Sequence, residues 1–127
     1  MIPIEEMETM LDDIAAEVPP EFYKELNGGI ILLPEAKRHA GKNLDDMNIM
    51  GEYYRGGEMG RFIAIYYGSF ELVYGYLPKA QLRQQLKKVL LHEFTHHLES
   101  LAGRRDLEIK DERGIAEYLR SKRGRED

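Results

Sequence analysis

The chain has 127 residues, enough to bury one hydrophobic core and too few for a separate substrate-binding or regulatory domain, so residues 1–127 read as a single domain. With 43% hydrophobic and 32% charged residues it has the composition of a folded globular protein, and 18 basic against 23 acidic side chains leave a net charge of −5, which argues against nucleic acid or an anionic membrane as partner. The absence of cysteine excludes disulfides, thiolate zinc sites, iron–sulfur clusters and a cysteine nucleophile, so any metal must be held by His, Asp or Glu.

Apolar residues at Ile4, Met7, Met10, Leu11, Ile14 and Ala15 recur every three or four residues, which predicts an amphipathic helix over residues 3–17 that Pro19 and Pro20 stop. This acidic amino terminus has neither the positive start nor the apolar run of a secretory signal. No apolar stretch approaches a membrane span, so the cytoplasm is the expected compartment. Residues 20–26 suit a short helix with Pro20 in its first turn, ended by Asn27-Gly28-Gly29, and Ile30 to Leu33 suits a strand. The mixed stretch from Pro34 to Met50 reads as a connection with one helical turn.

From Gly51 to Tyr76 aromatic and β-branched residues predominate, the chemistry of strands. Glycines 56, 57 and 60 separate a strand around Glu52 to Arg55 from one over Phe62 to Tyr67. Gly68-Ser69 is expected to turn the chain into a further strand, Phe70 to Tyr74, completing a small sheet. Pro78 then sits where a first helical turn tolerates it, and Lys79 to Ala102 holds neither Gly nor Pro, predicting a long helix with Gly103 as its stop. A last helix is expected over residues 111–122, followed by a charged tail, residues 123–127, that frays. The fold class is therefore α+β.

The long helix contains Leu91-His92-Glu93-Phe94-Thr95-His96-His97-Leu98-Glu99. On an α-helix His92 and His96 are separated by roughly 40° around the axis and about 6 Å along it, so both imidazoles can reach one cation. Glu93 lies beside that cation and serves better as a base for a metal-bound water than as a ligand, because open coordination positions must hold water and substrate. Leu82, Leu86, Val89, Leu90, Phe94, Leu98 and Leu101 form a broad apolar stripe, and both histidines fall just off its edge, where a cleft at the margin of the core would lie. His97 points into the stripe and is expected to be a core histidine bonded to a carbonyl or carboxylate.

A catalytic zinc needs a third protein ligand, for which Asp106 and Glu99 compete. Glu99 shares the histidine face, but its Cα is about 10 Å along the axis from that of His92. Asp106 follows Gly103 by three residues, and a left-handed glycine at the helix end would swing the chain back toward the metal. Asp111, Glu112 and Glu117 are weaker candidates.

With Gly103 and Asp106 after it, the motif resembles that of the small bacterial zincin-like metallopeptidases, the minimal zincins. The match is most specific over residues 78–112, and Met50-Gly51-Glu52-Tyr53-Tyr54-Arg55-Gly56 is similar to the glycine–tyrosine strand of that family. The resemblance implies a zincin-like α+β domain: an N-terminal helix, a small twisted sheet, the long motif helix and a C-terminal helix. It also implies zinc on His92 and His96, with Glu93 as general base. Members with His-Glu-x-x-His-x-x-Gly-x-x-Asp use the final Asp as third ligand, whereas here the Gly and Asp positions hold Glu99 and Ala102. Either the helix is longer and the ligand moves to Asp106, or the third position falls to Glu99 or water.

The expected activity is a zinc-dependent metallopeptidase that hydrolyses peptide bonds by Glu93-assisted attack of zinc-bound water. Its partner is a peptide or protein, held along an edge strand of the small sheet. Tyr53, Tyr54, Tyr118, Arg104 and Arg105 are candidates for a second oxyanion donor. The alternative is a zinc-binding regulatory or assembly protein that keeps the fold and cuts nothing. A nucleic-acid role for Arg120, Lys122, Arg123 and Arg125 is disfavoured by the net charge.

Overall fold

The computed structural model describes residues 1–39 and 47–104. The chain opens with helix α1 (Ile4–Glu17), whose buried face is Met7, Met10, Leu11 and Ile14. A 3₁₀ turn follows at Pro20–Tyr23 and buries Phe22, as the proline-led segment predicts. Strand β1 (Gly29–Leu33) comes next, then two short strands, β2 (Lys37–Arg38) and β3 (Asn48–Ile49), which pair antiparallel. These strands lie in the stretch read as a connection, and their backbone groups pair with one another at Lys37–Ile49 and Arg38–Asn48; residues 40–46, which the expected helical turn could occupy, lie outside the described residues.

Strands β4 (Gly51–Tyr54) and β5 (Phe62–Tyr66) complete a three-stranded sheet in the order β1-β5-β4. Central β5 runs parallel to β1, with Ile30 beside Ile63 and Leu32 beside Ile65, and antiparallel to β4, with Glu52 beside Ala64 and Tyr54 beside Phe62. The connection from β4 to β5 turns through Gly56, Gly57 and Gly60, all at positive φ (95°, 74° and 68°), which side chains other than glycine's disfavour.

Helix α2 (Tyr67–Tyr74) replaces the expected strand over Phe70 to Tyr74. An apolar run of this length suits a buried strand or a buried helix equally, and tertiary contacts decide. Gly68 N–H donates to Glu35 O at 3.1 Å and Ser69 Oγ accepts Lys37 N–H at 2.9 Å, so the chain is pinned as it leaves β5. A Cβ on Gly68 would lie 2.4 Å from Ala36 N, a close approach that only glycine allows.

Helix α3 (Lys79–Arg104) is the longest element among the described residues. Leu82, Leu86, Leu90, Phe94, Leu98 and Leu101 are buried along it, as the apolar stripe predicts, with Val89 half-buried at the margin. Each such side chain contributes about 1.5–3 kcal/mol by leaving water. The helix does not stop at Gly103, which lies inside it with no positive φ, so the left-handed C-terminal glycine expected there is absent. Contacts of α3 with α1, β4 and β5 bring its middle turns against the sheet, and the described chain is a small α+β fold. The helix and tail expected over residues 111–127 lie outside the described residues. No helix among the described residues is long and apolar enough to cross a membrane.

Candidate metal centre

His92, Glu93, His96, Glu99 and Ser100 recur at helical spacing and present one side of α3 to a cleft of about 780 Å³. Gly51, Glu52 and Tyr53 of β4 and Arg55 just after it supply further lining, with His39 and Ile49 from the β2–β3 region. Close packing of β4 on α3 depends on Gly51. A Cβ there would meet Val89 Cγ1 at 2.9 Å and Ile65 Cδ1 at 3.1 Å.

The two motif histidines are exposed at the rim of the core, as the helical wheel places them. Their Nε2 atoms lie 3.1 Å apart and their rings are nearly perpendicular, at 88°. Zinc–nitrogen bonds of about 2.0–2.1 Å in a tetrahedron set ligand nitrogens roughly 3.3 Å apart, so the pair fits a shared zinc with little adjustment. The other ring nitrogen of His96, Nδ1, faces the Glu99 carboxylate at 3.7 Å. Glu99 therefore sits behind the His96 ring, the place from which a carboxylate orients a ligating imidazole. Among the described residues no group of three or more such side chains is close enough to hold a metal ion, and Asp106 lies outside the described residues.

Glu93 is buried at 5% exposure beside this pair. Burial, helped by the charge of Glu52, pushes its carboxyl up to about 7, well above the ordinary carboxylate range. A carboxyl poised near neutrality can both take and return a proton, the property a general acid–base group requires.

His97 is fully buried and bonds through Nε2 to the Lys24 carbonyl at 2.7 Å, the core role expected of it. Its Nδ1 meets the Tyr53 hydroxyl at 2.9 Å. That hydroxyl is already engaged and is poorly placed to serve as an oxyanion donor. Tyr54 is likewise committed, donating to Glu52 at 2.6 Å and accepting from Lys37 Nζ at 3.0 Å. The side chains of Arg104, Arg105 and Tyr118, the other oxyanion candidates, lie outside the described residues.

Several lining residues escaped the sequence reading. Glu52 collects hydrogen bonds from Lys37, Tyr54 and Tyr66 on a single oxygen. Burial opposes its ionisation, but those three donors outweigh it and hold the carboxyl below its ordinary range. Strand alternation carries the signal for this cluster, since Glu52 and Tyr54 share one face of β4 and Tyr66 lies on the same face of β5. Arg55, Ser100 and His39 carried no local signal.

No family model matches the sequence, and no curated protein matches it. Among solved structures, the conserved hypothetical protein TTHA0227 from Thermo thermophilus is 35% identical, with a TM-score of 0.71 over 81% of this chain and 100% of its own. The chain belongs to the family of that protein.

Proposed function

We propose that this chain is a zinc-dependent metallopeptidase with a zincin-like fold. The observation that carries the reading is the convergence of His92 and His96 Nε2 at 3.1 Å in a cleft whose base is the buried Glu93 carboxyl. His92 and His96 hold the metal, Glu99 orients His96, and Asp106 is the candidate third ligand. Bound zinc supplies Lewis acidity toward water and a peptide carbonyl. Glu93 takes a proton from water and returns one to the departing amine nitrogen. Edge strand β4, on the side away from β5, offers backbone groups to an extended peptide laid along the cleft.

The test is Glu93→Gln, which keeps the shape of the side chain at the base of the cleft and removes its capacity to take a proton. The variant should retain the zinc content of the wild type and lose at least about a hundredfold of its hydrolysis of a quenched fluorescent peptide library. Hydrolysis at the wild-type rate would sink the mechanism. Zinc retained by both forms, with no peptide cut by either, would favour the regulatory or assembly reading instead.

A further inference from the structure

We infer that Arg55, Arg61 and Ser100 form a subsite for a carboxylate of the peptide substrate at one end of the cleft. The inference rests on the peptidase reading and adds a substrate class to it. Arg55 Nη1 donates to Ser100 Oγ at 3.2 Å, and Arg61 Nη1 donates to the same oxygen. Two guanidinium groups thus converge on one neutral acceptor, an arrangement that like charges resist unless an anion joins them. Among the described residues neither has a carboxylate within ion-pair distance.

Several other cations of the described surface have carboxylate partners, although exposed Arg38 has none among the described residues. Lys37 pairs with Glu52, Lys79 with Glu6, and Arg83 and Lys87 with Glu17. The chain carries more acids than bases, yet among the described residues the arginine pair lies beside the cleft with no acid paired to it. Arg61 is braced, since the same nitrogen also donates to the Tyr53 hydroxyl at 2.8 Å, whereas Arg55 is exposed and lines the cleft directly. Each planar guanidinium carries five N–H donors, and most of those on this pair remain for a ligand in the two-point geometry that suits a carboxylate.

The position suits a substrate contact. Ser100 is one helical turn beyond His96 on the same side of α3, about 6 Å along the axis. An extended peptide advances about 3.3–3.6 Å per residue, so a carboxylate within a residue or two of the bond cut would reach the pair. Two sources supply such a group: an Asp or Glu side chain, or the carboxyl terminus of the peptide.

The experiment measures binding, so it does not depend on turnover. Zinc-loaded Glu93→Gln protein is titrated, by fluorescence anisotropy, into labelled peptides that differ only in Glu against Gln at successive positions and in a free against an amidated carboxyl terminus. We expect about tenfold tighter binding of one carboxylate-bearing peptide over its neutral match. Preference for Glu identifies a side-chain source, and preference for the free terminus identifies a terminal one. Adding Arg55→Gln should erase the preference and leave affinity for the neutral peptide within about twofold, and Arg61→Gln should do the same if circular dichroism shows it folded. Equal affinity for all peptides, a preference that survives Arg55→Gln, or no binding by any acidic peptide overturns the subsite. Carboxylate preference without cleavage by the wild type defeats the peptidase reading alone, and cleavage without preference defeats the subsite alone.

Discussion

The Tyr53 hydroxyl lies 2.9 Å from His97 Nδ1, and the line of hydrogen bonds it joins has one consistent polarity. The Lys24 carbonyl can only accept, so His97 Nε2 carries the proton at 2.7 Å and Nδ1 is the acceptor. Tyr53 therefore donates to His97 and accepts from Arg61 at 2.8 Å. Burial, opposed by the Lys24 bond and aided by the Arg61 charge, holds the imidazole below its ordinary range, which keeps the neutral tautomer that this line needs. Removing the hydroxyl strips Nδ1 of its donor. Tyr53→Phe should lower stability by about 1–3 kcal/mol in urea denaturation, and His97→Leu added to it should cost less than the sum of the two single changes. Additive costs would show that the contact contributes nothing to stability.

Zinc content tests the histidine pair. Purified protein, cleared of adventitious metal, should hold one zinc per chain by elemental analysis. His92→Ala and His96→Ala should each abolish it, because one imidazole with a single carboxylate holds the ion too weakly to survive removal of adventitious metal. Asp106→Ala should weaken retention, and Glu99→Ala should do so by a smaller factor, about 10–100-fold in affinity, since an orienting carboxylate is lost without a ligand. A wild-type protein that holds no zinc would make both histidines ordinary rim residues.

Much of the scaffold was legible because helical periodicity is a long signal. Four or more repeats place Met7, Met10, Leu11 and Ile14 of α1, and Leu82 to Leu101 of α3, on buried faces, and the same periodicity puts His92 and His96 at the rim. Phe70 to Tyr74 is too short and too uniformly apolar to declare its period, and the hydrogen bonds from residues 35–37 that make it helical come from elsewhere in the chain. Gly103 carried a stop signal that the helix overrides. The motif displays the histidines and Glu93 because they lie within five residues, whereas Arg55 and Arg61 meet Ser100 across 45 and 39 residues. Only the antiparallel pairing of β4 with β5 and the crossing of α3 bring them together.

That crossing predicts a steric test. Gly51→Ala places a methyl 2.9 Å from Val89 Cγ1 and 3.2 Å from the Ala64 carbonyl oxygen, and Val89, branched at Cβ, has little rotamer freedom in a helix. We expect a loss of about 1–3 kcal/mol. Val89→Ala in the same chain should restore part of it by opening the space that the new methyl needs. If the double variant is no more stable than Gly51→Ala, the strain lies at Ile65 Cδ1 and Ala64 O within the sheet and the packing of β4 on the helix is not its source.

Glu52 predicts how stability follows pH. Its carboxyl is held below the ordinary value of 4.5 in the folded chain despite burial, by the donors Lys37, Tyr54 and Tyr66, and unfolding returns it to that value. Between the folded and unfolded values the unfolded chain binds more protons, so the contribution is complete above about pH 4.5 and is lost as pH falls through the lower folded value. Glu17, lowered chiefly by its hydrogen bond from Arg83, adds a loss of the same sign in the same window. Glu52→Gln removes the first contribution and leaves the second. Measured by urea unfolding at a series of pH values from about 6 down to about 3, the variant should be less stable than wild type at the upper end and should converge toward it as the pH falls. Parallel curves would show that the three donors do not favour the ionised carboxyl, and that Glu52 acts in the fold through its shape alone.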